Sequence, residues 1–198
     1  MAWQSNSRQL LGLLAKLLSY PEADFRETLA ACQPLANALS SEAGQLLATF
    51  GEVSSQMTSG QLEESYTLAF DLAASYQPYV GYYLVGEDYR RSSLLLGLLA
   101  RYRERGFSCS GELPDHLAVL LRFLAYHAEE QEARELTSEA LLPALAKMLD
   151  TQAGNGSEDE GLTRSGQERS MQPYRLLLAA LPSVLQTSWI PCPQAISA

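Results

Sequence analysis

Apolar residues recur at three- and four-residue intervals along most of this chain, the spacing of helices that bury one face. Leu10, Leu11, Leu13, Leu14, Leu17 and Leu18 cover one broad side of a first helix, which Pro21 ends. Pro21 and Glu22 open a second helix, with Phe25 and Leu29 as its apolar anchors. Residues 41–57 predict a third through Leu46, Leu47, Phe50 and Val53. A fourth runs from Ser59 to about Ser75, with Leu62, Tyr66, Ala69 and Phe70 on one stripe.

The pattern then breaks. Residues 76–87, YQPYVGYYLVGE, hold a proline and two glycines among four tyrosines, which predicts a loop or short irregular helix. A leucine-rich helix resumes over 90–105, and Gly106 is placed to cap it. After a loop at 107–113, an apolar helix opens at Pro114, with Asp115 and His116 in its first turn. Another spans about 132–150, where Pro143 kinks or splits it.

Residues 153–170 carry almost no apolar content and predict a mobile linker. A last helix covers 174–185, broken near Pro182, before a tail with Trp189 and Pro191. The expected organisation is an all-α, single-domain helical bundle over 1–152. A linker at 153–172 follows, then a C-terminal helix and tail at 173–198 packed on the same domain.

Composition narrows the function classes. Leucine and alanine dominate, good helix formers fill the long segments, and β-branched residues are few. A net charge of −9 argues against nonspecific nucleic-acid binding, which relies on Lys and Arg neutralising phosphates. It suits a basic partner where the acids cluster. Cys32, Cys109 and Cys192 are widely spaced, so neither a disulfide framework nor a zinc site is expected, and a reducing cytoplasm is. Arg8 precedes an apolar run that Lys16 interrupts, without a small-residue cleavage site, so no secretory signal is expected. No uncharged apolar run approaches the ~20 residues of a membrane span.

The polar residues offer two kinds of chemistry. An enzyme could use Asp115 and His116 on a small substrate. Adjacent helical positions diverge by roughly 100°, however, and no third catalytic group is evident. His127 returns to the face of His116 but roughly 16 Å along the axis, too far for a shared metal. Gly81 and Gly86 have the outer spacing of a phosphate loop without its Lys and Ser/Thr. No metal or cofactor is expected.

A binding module is the other reading. Tyr76, Tyr79, Tyr82 and Tyr83 in the irregular segment would give contact area at low entropy cost, or two or three of them would simply pack the segment onto the body. Glu129, Glu130, Glu132, Glu135 and Glu139 form either a solvated face or a receiver of Arg and Lys. A generic helical adaptor fits the same features.

Several segments together resemble the nitrate reductase delta-subunit (NarJ-type) family of redox-enzyme maturation chaperones, related to the TorD and DmsD chaperones. They are LLSYPEA at 17–23, YTLAFD at 66–71, PYVGYYL at 78–84 with Gly86 and Glu87, RYRERGF at 101–107, and ELPDHL at 112–117. The last is the most specific, and the likeness spans about residues 10–150. Arg122 stands where some members carry an acid.

The resemblance implies an all-helical cytoplasmic protein without catalytic activity, monomeric or homodimeric. Its implied partner is the N-terminal peptide of an apo molybdoenzyme catalytic subunit, held ready for insertion of molybdenum cofactor. The implied peptide site comprises Tyr79, Tyr82, Tyr83, Glu112, Asp115 and His116. Glu112 and Asp115 would meet basic residues, the tyrosines would cover apolar surface, and His116 would hydrogen-bond the peptide backbone.

Overall fold

The structure, a computed structural model, describes residues 5–71, 74–109, 111–150 and 164–188, with backbone only for 164–172. The described residues form helices and connecting turns. The chain order is α1 (Ser5–Leu17), α2 (Phe25–Leu39), α3 (Ser41–Ser55), α4 (Ser59–Phe70) and α5 (Val80–Val85). Then come α6 (Tyr89–Glu104), α7 (Leu117–Tyr126), α8 (Glu130–Glu135), α9 (Leu142–Asp150) and α10 (Arg164–Thr187).

α1 packs along α7 and α2, and α2 along α3. The late helix α10 lies against α3, α4 and α9, which joins the two ends of the described chain in one bundle. Tyr174 of α10 is fully buried among Phe50, Tyr66 and Phe70, at ring-centroid distances of 5.9, 5.6 and 5.2 Å. Edge-to-face geometry of this kind adds to the area the rings bury.

Several boundaries differ from expectation, each for a physical reason. α4 stops at Phe70 rather than near Ser75. α7 begins at Leu117, not Pro114, because His116 is its N-cap: extended in backbone, it accepts a hydrogen bond from Ala118 N–H through Nδ1. Asp115 and His116 therefore precede the first turn.

Pro143 does not break its helix. It lacks the N–H of an ordinary i−4 bond, and a π-helical stretch at Leu136–Leu141 precedes it. There the Leu142 N–H reaches back to Thr137 O, which widens the turn by one residue. α10 likewise runs through Pro173 and Pro182. Burial of Leu177, Leu178, Leu181 and Leu185 offsets the loss of helical bonds there. Residues 164–172, expected in a linker, begin this helix. The rest of that linker at 153–163 and the tail from Trp189 lie outside the described residues.

Candidate functional site

The apolar α7 is buried on nearly every side, so the chain that enters it must satisfy its polar groups locally. It does so by pairing with residues 78–80. Val80 N–H donates to Asp115 O at 2.8 Å and Leu117 N–H donates to Pro78 O at 2.7 Å, a short antiparallel bridge between Tyr79 and His116. The Tyr79 and His116 rings meet edge to face with centroids 5.6 Å apart. The buried Tyr102 hydroxyl of α6 donates to Pro114 O at 2.7 Å and ties down the same turn.

Asp115 is fully buried and faces α6. Arg91 grips it through two nitrogens, Nε at 2.9 Å and an Nη at 3.3 Å, and lies 5.2 Å above the Tyr79 ring. Gly81 is the third partner. A Cβ there would lie 2.6 Å from the Asp115 carboxylate and 3.0 Å from Leu94, so only glycine lets α5 approach this closely. Asp115 thus does not offer its charge to solvent, because Arg91 already takes both carboxylate oxygens.

On the other side of the bridge the turn opens into a cavity of about 300 Å³. Ser19 and Tyr20 reach it from the end of α1, Tyr66, Phe70 and Asp71 from α4, Pro78 and Tyr79 from the bridge. Glu112, His116, Ala118 and Arg122 complete the wall. The carboxylates of Asp71 and Glu112 have no ion-pair partner among the described residues.

Their field is felt by the neighbouring phenols. Burial, with Glu112 and Asp71 adding, pushes Tyr66 up to about 12, so its hydroxyl stays a proton donor. Tyr79 is raised for the same reasons, chiefly burial, against the opposing charge of Arg91. Burial holds His116 below its ordinary value; Glu112 opposes this and Arg122 reinforces it. With Nδ1 accepting from Ala118, the neutral ring carries its proton on Nε2. The cavity is therefore acidic, aromatic and rich in donors, suited to a cation that brings peptide carbonyls with it.

Of the six residues expected at a site, the cavity gathers Tyr79, Glu112 and His116. Tyr82 and Tyr83 lie elsewhere, beside an open depression with Gln77, Glu87, Lys147 and Asp150. There the Tyr83 hydroxyl accepts from Gln77 N–H at 3.0 Å, and Lys147 donates to the Tyr83 carbonyl at 2.8 Å. α5 turns helical at Val80 and carries both rings away from the bridge. Ser19, Tyr20, Tyr66, Phe70, Asp71 and Arg122 were not expected as site residues. All but Arg122 lie in the sequence segments 17–23 and 66–71 that carry the family likeness.

Among the described residues no cluster of His, Cys, Asp and Glu could hold a metal ion, and no helix is long and apolar enough to cross a membrane.

An all-helical bundle with an acidic, aromatic cavity beside a buried turn defines the class. The fold is similar to the crystal structure of a candidate redox enzyme maturation protein from Archaeoglobus fulgidus. The two share 21% identity at a TM-score of 0.53, over 88% of this chain and 93% of the other. No curated protein matches the chain. The family model described as nitrate reductase delta subunit matches residues 32–154, and the chain belongs to that family.

Proposed function

We propose that this protein is a maturation chaperone for a redox enzyme, binding the N-terminal peptide of an apo molybdoenzyme catalytic subunit in the cavity at Tyr79, Glu112 and His116. One observation carries the reading. Four separate sequence segments converge on a single cavity where Asp71 and Glu112 form no ion pair among the described residues, although Arg122 lines the same wall. A basic residue of the peptide pairs with these carboxylates, Tyr66 and Tyr79 cover its stem, and His116 Nε2 donates to a carbonyl. Asp115 acts through the turn it holds with Arg91 rather than by touching the peptide.

The protein is then no enzyme. Its work is to keep the client subunit open for molybdenum cofactor insertion in the cytoplasm and to leave after assembly. Membership of the nitrate reductase delta-subunit family supports this role.

The test is calorimetry with a synthetic peptide matching the N-terminal segment of a nitrate reductase catalytic subunit. Glu112→Gln should weaken binding about tenfold, the loss of one charge-assisted contact of about 1.4 kcal/mol. Wild-type affinity should fall as salt rises. Affinity unchanged in both experiments would sink the site assignment.

A further inference from the structure

α6 turns to solvent a face of unusual composition. The stripe Tyr89, Ser92, Ser93, Leu96, Ala100 and Arg103 is exposed from end to end, and its one charge sits at the C-terminal end. The outer face of a surface helix ordinarily carries its charged residues. Half-buried Leu95 and Leu99 widen the apolar strip on one flank. On the other flank a Cβ at Gly97 would meet nothing within 4 Å. The opposite side, with Leu98, Tyr102 and Arg91, is the one that faces the body. An isolated exposed leucine needs no partner. An apolar stripe about four turns long, in a chain of net charge −9, calls for one.

The charges along α6 restrict what covers it. Arg90, Arg91 and Arg101 pair with Asp88, Asp115 and Glu135 of the same chain. Arg103 alone of the helix's arginines has no ion pair among the described residues. An anionic membrane surface would need several unmatched cations beside the strip. The stripe instead complements itself when reversed, with Asp88 and the Tyr89 ring at one end and the Arg103 guanidinium at the other.

We infer that α6 is a homodimer interface, in which two copies pack their outer stripes antiparallel about a two-fold axis at Leu96. Leu96 then meets its own copy. One turn to either side Ser92 meets Ala100 of the second copy, and two turns out Tyr89 meets its Arg103. Each guanidinium lies over a phenol ring and reaches the Asp88 carboxylate beside it. A parallel pair would set Arg103 against Arg103. The small side chains at Ser92, Ser93 and Ala100 let the two helices approach closely.

Two helices roughly 24 Å long bury less than the ~800 Å² per partner of a standard interface. The dimer is therefore weak and reversible, with a dissociation constant on the order of 100 µM, and dilute protein is monomeric. The cavity at Glu112 lies across the 78–80 bridge from α6, so the dimer leaves it open. The interface stands or falls separately from peptide capture.

The test is sedimentation equilibrium of the full-length protein. Between about 5 and 500 µM the mean mass should rise from one chain toward two. Leu96→Glu sets a carboxylate against its own copy and should keep the protein monomeric throughout, with unchanged helical circular dichroism. Arg103→Glu should weaken association about tenfold. Register is read by cross-linking in a chain whose Cys109 and Cys192 are replaced by serine. On oxidation, Ser92→Cys mixed with Ala100→Cys should join two chains, whereas either variant alone should not.

A single-chain mass at every concentration overturns the interface. In that case, loss of stability in Leu96→Glu assigns the stripe to another segment of the same chain. Leu96-dependent binding to phosphatidylglycerol vesicles assigns it to a membrane surface. A dimer that Leu96→Glu leaves intact also overturns the interface. Cross-linking of each cysteine variant by itself, and not of the mixture, overturns the antiparallel register.

Discussion

α6 and α7 are both leucine-rich, and the fold treats them oppositely. Every residue of α7 is buried except Arg122 and Tyr126. In α6 only Leu98 and Tyr102 are, while Leu96 is 69% exposed and Tyr89 80%. α7 lies along α1 in the centre of the bundle, whereas α6 packs mainly on the short α5. What α6 contributes to the centre is polar: Arg91 to Asp115 and the Tyr102 hydroxyl to Pro114 O. The difference teaches that informative residues are those that break a helix's type. On α7 this is the lone charge Arg122, which lines the cavity; on α6 it is the arginine that reaches into the core.

Substitutions can sharpen or break this contrast. The largest effect should come from Leu120→Ala in α7, a loss of about 3 kcal/mol in urea unfolding. Leu96→Ala in α6 should stay within about 0.5 kcal/mol. Equal losses would mean that α6 is covered in solution.

Asp115→Ala should cost roughly 3 kcal/mol, because it strands the largely buried Arg91. Arg90→Ala, which removes an exposed pair with Asp88, should cost no more than about 0.5 kcal/mol. A similar small cost at Asp115 would show that the pair does not anchor α6.

The two glycines should differ in sign. Gly81→Ala forces a Cβ against Asp115 and should destabilise by about 1–3 kcal/mol. Gly97→Ala, in the middle of α6 with nothing within 4 Å of the new carbon, should stabilise by up to about 1 kcal/mol.

The smallest effect concerns acid. His116 is held below its ordinary value of 6.5, so the unfolded chain binds the extra proton first. Its contribution to stability is present above about pH 6.5 and is lost as pH falls through the lower folded value. His116→Asn keeps an N-cap acceptor that does not titrate and should flatten the melting-temperature profile between pH 7 and 5. A profile as steep as wild type would place the titrating group elsewhere.

Much of the fold was legible because helices advertise themselves locally. The stripes at Leu10–Leu18 and at Leu46, Leu47 and Phe50 fix which faces turn inward wherever the partner helix lies. Prolines were the weak point. Pro143 and Pro182 act on their own helices, but burial of their neighbours decided that those helices continue. The start of α7 was missed for a related reason. An acid after proline reads as a first-turn residue, and only the bridge to residues 78–80 pulls Asp115 and His116 out of the helix.

For the site, sequence brought Glu112 and His116 together and set Tyr79 near them, since the likeness names both of their segments. It did not separate Tyr79 from Tyr82 and Tyr83, because where α5 begins depends on the pairing of Val80 with Asp115. Nor could it weigh Asp115 against Glu112: two acids three positions apart look alike until Arg91, which belongs to another helix, takes one and leaves the other open.

The sequence by itself determined that this chain folds as helices, which faces they bury, and the family it belongs to. Those follow from residue type and spacing along the chain. The tertiary structure alone decided that Arg91 takes Asp115, and that Asp71 and Glu112 line one cavity with Tyr79 and His116. Each is a relation between residues far apart in the chain, and helix packing sets such distances, not the local pattern.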